Sequence, residues 1–488
     1  MSSLNRTHFP SYVDAVLCNA AHDPMRPAIG TESGVVSYGQ LAEAVRNATV
    51  RCHAAGLGAG TLVGLIVSDP VWQICLTCAL HRLGVATAAI NANEAKLKLG
   101  FTAVLVDEGR PEGFTGTMHV VDSSWFTEVG NARGNVPILA MGPTDLCRVA
   151  LSSGTTGIPK AFAMSPEILW HRFTTYAMRS RFSVSEKILC GPLLRSHFAF
   201  AIAFSALISG KMMCFADSAE TTLPIVSYFG VDLAIISVHQ LSELANLQLK
   251  QYGGLSSLRE IQAGGSTISD SLLLKVRRTI ACPLVNTYAS TEAGTAAWGA
   301  VEQLGEACNE GAVGFITPWT QVVACDHDGN ELPLGETGNL KVSALGMADV
   351  YTPGMTKVLA PSSFFPGDHG RVTVNRMLFI AGRSTEIINI GGNKMAPEHI
   401  EEIIMSCDGV IDAAVFAVDS NSDFLQIWAA VVPGENYDVK EIMRRCAAQS
   451  NIISPTVIKI VNQIPRNSTG KIMRDQLRRE LASSKLGA

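Results

Sequence analysis

The feature that most constrains this chain is the repeated alternation of short apolar runs, long enough for one buried strand, with longer segments of helical period. Asp14–Pro24 reads as a helix ending before its proline, Val35–Tyr38 as a strand, and Gln40–Ala55 as a helix closed by Gly56. TLVGLIVS (61–68) reads as a buried strand, Trp72–Leu83 as a helix and TAVLVD (102–107) as a further strand. This βαβα order predicts a mostly parallel sheet with helices on both faces. The same grammar returns between Ile188 and Thr287, where KILCGPL, KMMCFA and DLAIIS alternate with helical stretches, so a second α/β unit is expected.

The texture changes near Val313. Gly314–Arg371 is rich in glycine, proline and short alternating runs, with DHDGN (326–330) as a turn, and predicts antiparallel hairpins forming a barrel-like subdomain. After Arg383 the pattern resets. Pro397 opens a helix with Ile400, Ile403 and Ile404 on one face; strands Val410–Val418 and Phe424–Val432, a helix over Lys440–Gln449, the strand VIKIV and a terminal helix from Ile472 follow. The fold class is therefore multidomain α/β: a large N-terminal domain, 1–383, and a small α+β C-terminal domain, 384–488.

Composition narrows the function classes. A chain of 488 residues exceeds one ordinary core. Its net charge of −5 gives no basic surface for nucleic acid, so no nucleic-acid partner is expected. The twelve cysteines follow no framework spacing and the first ten residues are polar, which points to a reducing, cytoplasmic setting. Cys75 and Cys78 form a CxxC, but they share one face of an apolar helix with no second pair nearby, so burial is expected rather than zinc. The apolar stretches near Ala79–Ile90 and Ala199–Ile208 are too short or too broken to cross a membrane. Monomer and homodimer both remain open.

Chemistry-bearing residues recur at several points. Ser152, Ser153, Gly154, Thr155, Thr156, Gly157 and Lys160 form a polar, glycine-containing stretch suited to cradling phosphate, although Lys160 follows a proline and no Ser or Thr follows it, unlike the Walker pattern. Asn286–Glu292 (NTYASTE) sets Tyr288, Thr291 and Glu292 at a strand end, where Glu292 is a candidate magnesium ligand. Gly264 and Gly265 would let a flat ring approach the backbone. Asp368 can accept from ribose hydroxyls and Arg383 can reinforce that grip. Lys471 ends the flexible stretch IPRNSTGK before a helix. Each taken alone is equally an ordinary turn or a solvated lysine.

Together the strings LSSGTTGIPK, NTYASTEAG, FPGDHGR, GRSTEIINIGGNKMAPEHIE and PRNSTGKIMR, in this order over most of the chain, resemble the adenylate-forming superfamily of acyl- and aryl-CoA synthetases, luciferases and peptide-synthetase adenylation domains. YGQLAEAV near Tyr38 is similar to that family's weaker N-terminal motif. The resemblance implies two steps: a carboxylate attacks the α-phosphate of ATP to give an acyl-adenylate and pyrophosphate, and a thiol then takes the acyl group. It implies that Ser153–Lys160 covers the outer phosphates, Tyr288 lies against adenine beside Gly264 and Gly265, Thr291 binds the α-phosphate and Glu292 the Mg2+. It further implies that Asp368 and Arg383 hold ribose, that Lys471 stabilises the charge developing on phosphorus, and that His197 is the gate of the acid pocket. Glu386 falls at the family's hinge, and Gly391 and Gly392 in the strand lining the thiol tunnel after the small domain swings.

The chain departs from the family at Ala289 and Ala161, where glycine is common, and at Ala199, Phe200 and Ala201 after His197, which predicts a smaller or more tightly shaped acyl pocket. Asn91–Thr102 is shorter than the usual connection. The FAFAIAF run carries no acidic residue for a substrate ammonium, so a fatty, short-branched or aromatic acid is expected rather than an α-amino acid. CoA is the expected thiol. The alternatives are a free-standing enzyme that loads a carrier protein's phosphopantetheine, and a catalytically silent nucleotide-binding relative.

Overall fold

The computed structural model describes residues 11–108, 111, 114–127, 136–152, 160–248, 255–266, 268, 270–383, 388–390, 393–395, 397–419, 425–448, 454–467 and 471–483. Two large sheets build the first three-quarters of the chain. The seven-stranded sheet runs in the order Asp349–Val350, Lys160–Met164, Arg148–Ser152, Ala86–Ala89, Leu62–Ile66, Ala103–Val106, Thr117–Val120. Its strands are parallel from Arg148–Ser152 onward, as the βαβα pattern predicts, and the pair Arg148–Ser152 and Lys160–Met164 is antiparallel.

The second sheet has thirteen strands. Pro27–Thr31, Met212–Phe215, Lys187–Cys190, Leu233–Ser237, Glu260–Gly264 and Leu284–Ser290 are neighbours in parallel. From Leu284–Ser290 onward the pairing turns antiparallel, through Gly294–Ala300, Ala312–Ile316 and Met377–Arg383 to the hairpin Thr320–Cys325 with Gly338–Ala344. The hairpins expected after Val313 are thus continuous with the second parallel sheet, because Gly294–Ala300 pairs on both of its edges. The DHDGN turn closes on itself through Asp326, whose carboxylate accepts from the Asp328 and Asn330 backbone N–H groups at 2.9 and 2.8 Å.

The helix His197–Ile208 packs in the main core and is apolar on every side, which suits an element covered all round. Ser196 caps it, its hydroxyl accepting from the Ala199 N–H at 3.2 Å. Around Phe200 and Phe204 lie Tyr12 and Phe173; each fully buried aromatic ring of this kind contributes about 2 kcal/mol through burial. Arg148 enters the same core, its guanidinium carbon 3.6 Å from the Phe200 ring centre. Cys75 and Cys78 are fully buried on the Pro70–Arg82 helix, and burial pushes the Cys78 thiol up to about 12, which makes both poor metal ligands.

The small domain is a separate layer. Val410–Asp419 and Leu425–Pro433 pair antiparallel, Val457–Ile460 adds in parallel, and the helices Pro397–Met405, Val439–Ala447 and Arg474–Ser483 accompany them. Ile400 and Ile404 face one core and Phe416, Trp428 and Leu477 another. No described helix is long and apolar enough to cross a membrane.

Candidate active site

A cavity of about 1590 Å3 opens at the carboxyl ends of the parallel strands, where ligands bind in open α/β sheets. The strand Glu260–Gly264 ends in it with Gly264 and Gly265. A side chain at Gly264 would meet the Thr287 carbonyl oxygen at 2.8 Å, and Gly265 has φ of +94°, so both positions favour glycine. The neighbouring strand Leu284–Ser290 delivers Tyr288 and then turns at Thr291–Glu292 into Gly294–Ala300. This turn sits where the sheet changes from parallel to antiparallel.

One side chain that the motifs did not include fixes the turn. Arg172, on the Pro166–Ala177 helix, is 5% exposed. It donates from Nη1 to the Thr291 carbonyl at 2.8 Å, from Nη2 to the Glu292 carbonyl at 2.5 Å and from Nε to the Gly346 carbonyl at 2.8 Å. The Ala348 N–H adds a second bond to the Glu292 carbonyl, at 2.8 Å. With its backbone held this way, the Glu292 side chain is positioned toward the cavity it lines. Burial lowers the Arg172 pKa to about 9, still a cation at neutral pH.

Tyr288 and Asp368 also meet here. The Tyr288 hydroxyl donates to the Asp368 carboxylate, and Asp368 stands opposite Arg383 in the antiparallel register of their strands. The Arg383 side chain lies outside the described residues, as do Ser153, Gly154, Thr155, Thr156, Gly157, Glu386, Gly391 and Gly392. Ser152 and Lys160 face each other across the antiparallel pair and both line the cavity.

His197 lines the cavity at the first turn of its helix and is 5% exposed. Neither ring nitrogen has a hydrogen-bond partner among the described residues. Burial, with Arg172 and Arg148 nearby, pushes its pKa well below the usual histidine range, so it is neutral.

The small domain supplies the opposite wall. Lys471 lines the same cavity; its N–H donates to Asn467 Oδ1 at 2.9 Å and its carbonyl accepts from the Asn467 N–H at 2.9 Å. Two arginines pin its flanks. Arg466 binds Asp412 at 2.7 Å, and Arg474 binds Glu401 at 2.8 Å and Glu398 at 3.0 Å. Burial and the neighbouring Glu398 raise the Glu401 pKa to about 7 against the pull of Arg474.

Sequence comparison places this geometry. A profile described as AMP-binding enzyme matches residues 18–352, and one described as AMP-binding enzyme C-terminal domain matches residues 399–471. The chain belongs to the AMP-binding enzyme family. Within its wider kin, indoleacetate–CoA ligase of Aromatoleum aromaticum is 25% identical over 353 residues, covering 70% of this chain and 68% of that protein. Long-chain-fatty-acid–CoA ligase FadD13 of Mycobacterium tuberculosis is 24% identical over 484 residues, covering 92% and 94%. Among solved structures, o-succinylbenzoate CoA synthetase (MenE) of Bacillus subtilis, in complex with the acyl-adenylate intermediate OSB-AMP, aligns with a TM-score of 0.81 at 19% identity, covering 96% of this chain and 98% of that one. The AMP-binding family architecture of a large N-terminal and a small C-terminal domain is the one seen here.

Proposed function

We propose that this AMP-binding enzyme activates a carboxylic acid with ATP, releasing pyrophosphate, and passes the acyl group to the thiol of CoA. The observation that carries this reading is that one cavity is lined by Thr291, Glu292 and Asp368 from the large domain and by Lys471 from the small one. CoA ligases among the relatives favour CoA over a carrier protein as acceptor.

On this reading Asp368 accepts from the ribose hydroxyls and Tyr288 borders the adenine. Lys160 and Ser152 flank the segment that covers the outer phosphates. Thr291 donates to the α-phosphate. Glu292 is a single carboxylate, and Mg2+ takes one or two carboxylates together with substrate phosphates, so the residues present fit that ion. Magnesium neutralises phosphate charge when bound. Lys471 places a cation beside the phosphorus as one carboxylate oxygen of the acid bonds to it and the bond to pyrophosphate breaks. Neutral His197 closes the acid pocket without repelling or fixing a charge. In the second step the thiol sulfur bonds to the acyl carbon, the bond from that carbon to the AMP oxygen breaks, and AMP leaves.

The test is to incubate the protein with ATP, Mg2+ and a panel of acids, adding either CoA or a phosphopantetheine-bearing carrier protein. AMP, pyrophosphate and an acyl-CoA mass support the proposal. A thioester only on the carrier redirects the acceptor, and release of ADP overturns the reaction class.

A further inference from the structure

The cavity continues past the Thr291–Glu292 turn along one face of the Pro166–Ala177 helix. Arg172 and Tyr176 line it from that helix, and Arg179 lines it from an extended position two residues past the helix end, beside Trp298 of the Gly294–Ala300 strand. Arg179 meets Trp298 and Gln262, which lie along their strands away from the Thr291–Glu292 turn that Arg172 holds. The far end is polar, unlike the apolar pocket that the FAFAIAF run suggests.

Arg179 is 4% exposed, and its guanidinium carbon lies 3.9 Å from the Tyr176 ring centre and 4.5 Å from that of Trp298. Its Nε is buried with no hydrogen-bond partner among the described residues, and Nη1 reaches Gln262 Oε1 only at 3.4 Å. That oxygen also accepts from the Tyr176 hydroxyl, at 3.3 Å. The Glu260 carboxylate accepts from Gln262 Nε2 at 2.9 Å and lies 3.8 Å from Arg181. Thr287, another lining residue, is 4% exposed and its Oγ1 is also unpartnered among the described residues. A buried guanidinium with idle donors is costly unless a ligand accepts from it.

We infer that Arg179 and Thr287 form a distal recognition site for an anionic oxygen, and that the substrate acid carries a second carboxylate at the end remote from the one that reacts. This rests on the proposed acid-activating reading of the cavity. The end of a plain fatty chain would leave the Arg179 Nε without an acceptor, whereas a dicarboxylic acid gives the fork a carboxylate partner in addition to Tyr176, Gln262 and the nearby Glu260.

The test measures AMP release with α,ω-dicarboxylic and carboxyaryl acids, each matched to the monocarboxylic acid of the same length. The best diacid is expected to exceed its match in kcat/KM by about 30-fold or more. Arg179→Met should collapse that ratio and Arg179→Lys should recover part of it; a merely structural arginine would lower both members of a pair together, which contradicts the inference. Should Arg179→Met fail to fold, the wild-type ratio and Thr287→Val, expected to cut the ratio several-fold, still decide. Preference of the wild type for monocarboxylic acids overturns the distal site alone. AMP release with no acid overturns the acid-activating reading and the site with it.

Discussion

On the large-domain wall of the cavity, a single guanidinium, Arg172, gathers three neutral carbonyls contributed by segments up to 174 residues away in sequence. On the small-domain wall, two guanidiniums, Arg466 and Arg474, grip carboxylates of their own domain. The first arrangement ties Glu292 into the main core through partners that do not titrate near neutrality. The second anchors the flanks of Lys471 to carboxylates of the small domain's own layer. A family that is expected to move its small domain between half-reactions needs this separation, with the lysine prepositioned within the part that travels.

The comparison breaks most visibly at Lys471. Lys471→Ala should lower acyl-adenylate formation by about 1000-fold, while thioester formation from supplied acyl-adenylate largely survives. Equal loss of both steps would mean that the lysine serves the whole site.

The two walls should also differ in their response to pH. His81 is buried beside Tyr12, and burial lowers its pKa to about 4; His197 shifts the same way. Unfolding frees such histidines to bind protons, so their contribution is present above about pH 6.5 and is lost as pH falls toward 4, with about 3 kcal/mol at stake for His81. Glu401 runs the other way. Its raised pKa means the folded small domain holds a proton longer than the unfolded chain, so that contribution is present below the ordinary glutamate range and is lost as pH rises through about 7. Hydrogen exchange corrected for intrinsic pH effects, read separately on peptides from each domain, should show the large domain loosening at pH 5 and the small one at pH 8. Parallel behaviour in both would contradict these assignments.

Arg172→Met should cost about 100-fold in kcat/KM, because it removes the bonds that fix the Thr291–Glu292 turn, and should raise the Mg2+ concentration required for half-maximal rate. A loss of rate with an unchanged magnesium requirement would assign Arg172 to stability alone. The smallest effect is expected at Lys160. Lys160→Ala should raise the KM for ATP by about tenfold, since it holds phosphates without acting on the reacting oxygen. An effect larger than that of Lys471→Ala would reverse the division between holding and driving.

The alternation of apolar runs in TLVGLIVS and DLAIIS was enough to read both parallel sheets, since such strands are buried on both faces and carry a continuous apolar pattern. The Thr291–Glu292 turn was legible too, because its residues are contiguous. Arg172 and Arg179 were not. Arg172 sits in a helix of mixed composition and Arg179 in the break between that helix and the next, and nothing local in HRFTTYAMRSRF says that these side chains turn to a cavity and not to solvent. The polar far end of the pocket was hidden for the same reason: FAFAIAF reports one wall, while Arg179, Thr287 and Gln262 reach the site from a break between two helices and from two strands, far apart in sequence.

The central claim is that the acid's own oxygen attacks phosphorus, and isotope transfer tests it most directly. With the substrate acid labelled with 18O in its carboxylate and CoA as acceptor, one labelled oxygen is predicted in the phosphate of the AMP released, with the other retained in the acyl thioester. Unlabelled AMP, or ADP and inorganic phosphate in place of AMP and pyrophosphate, would contradict it.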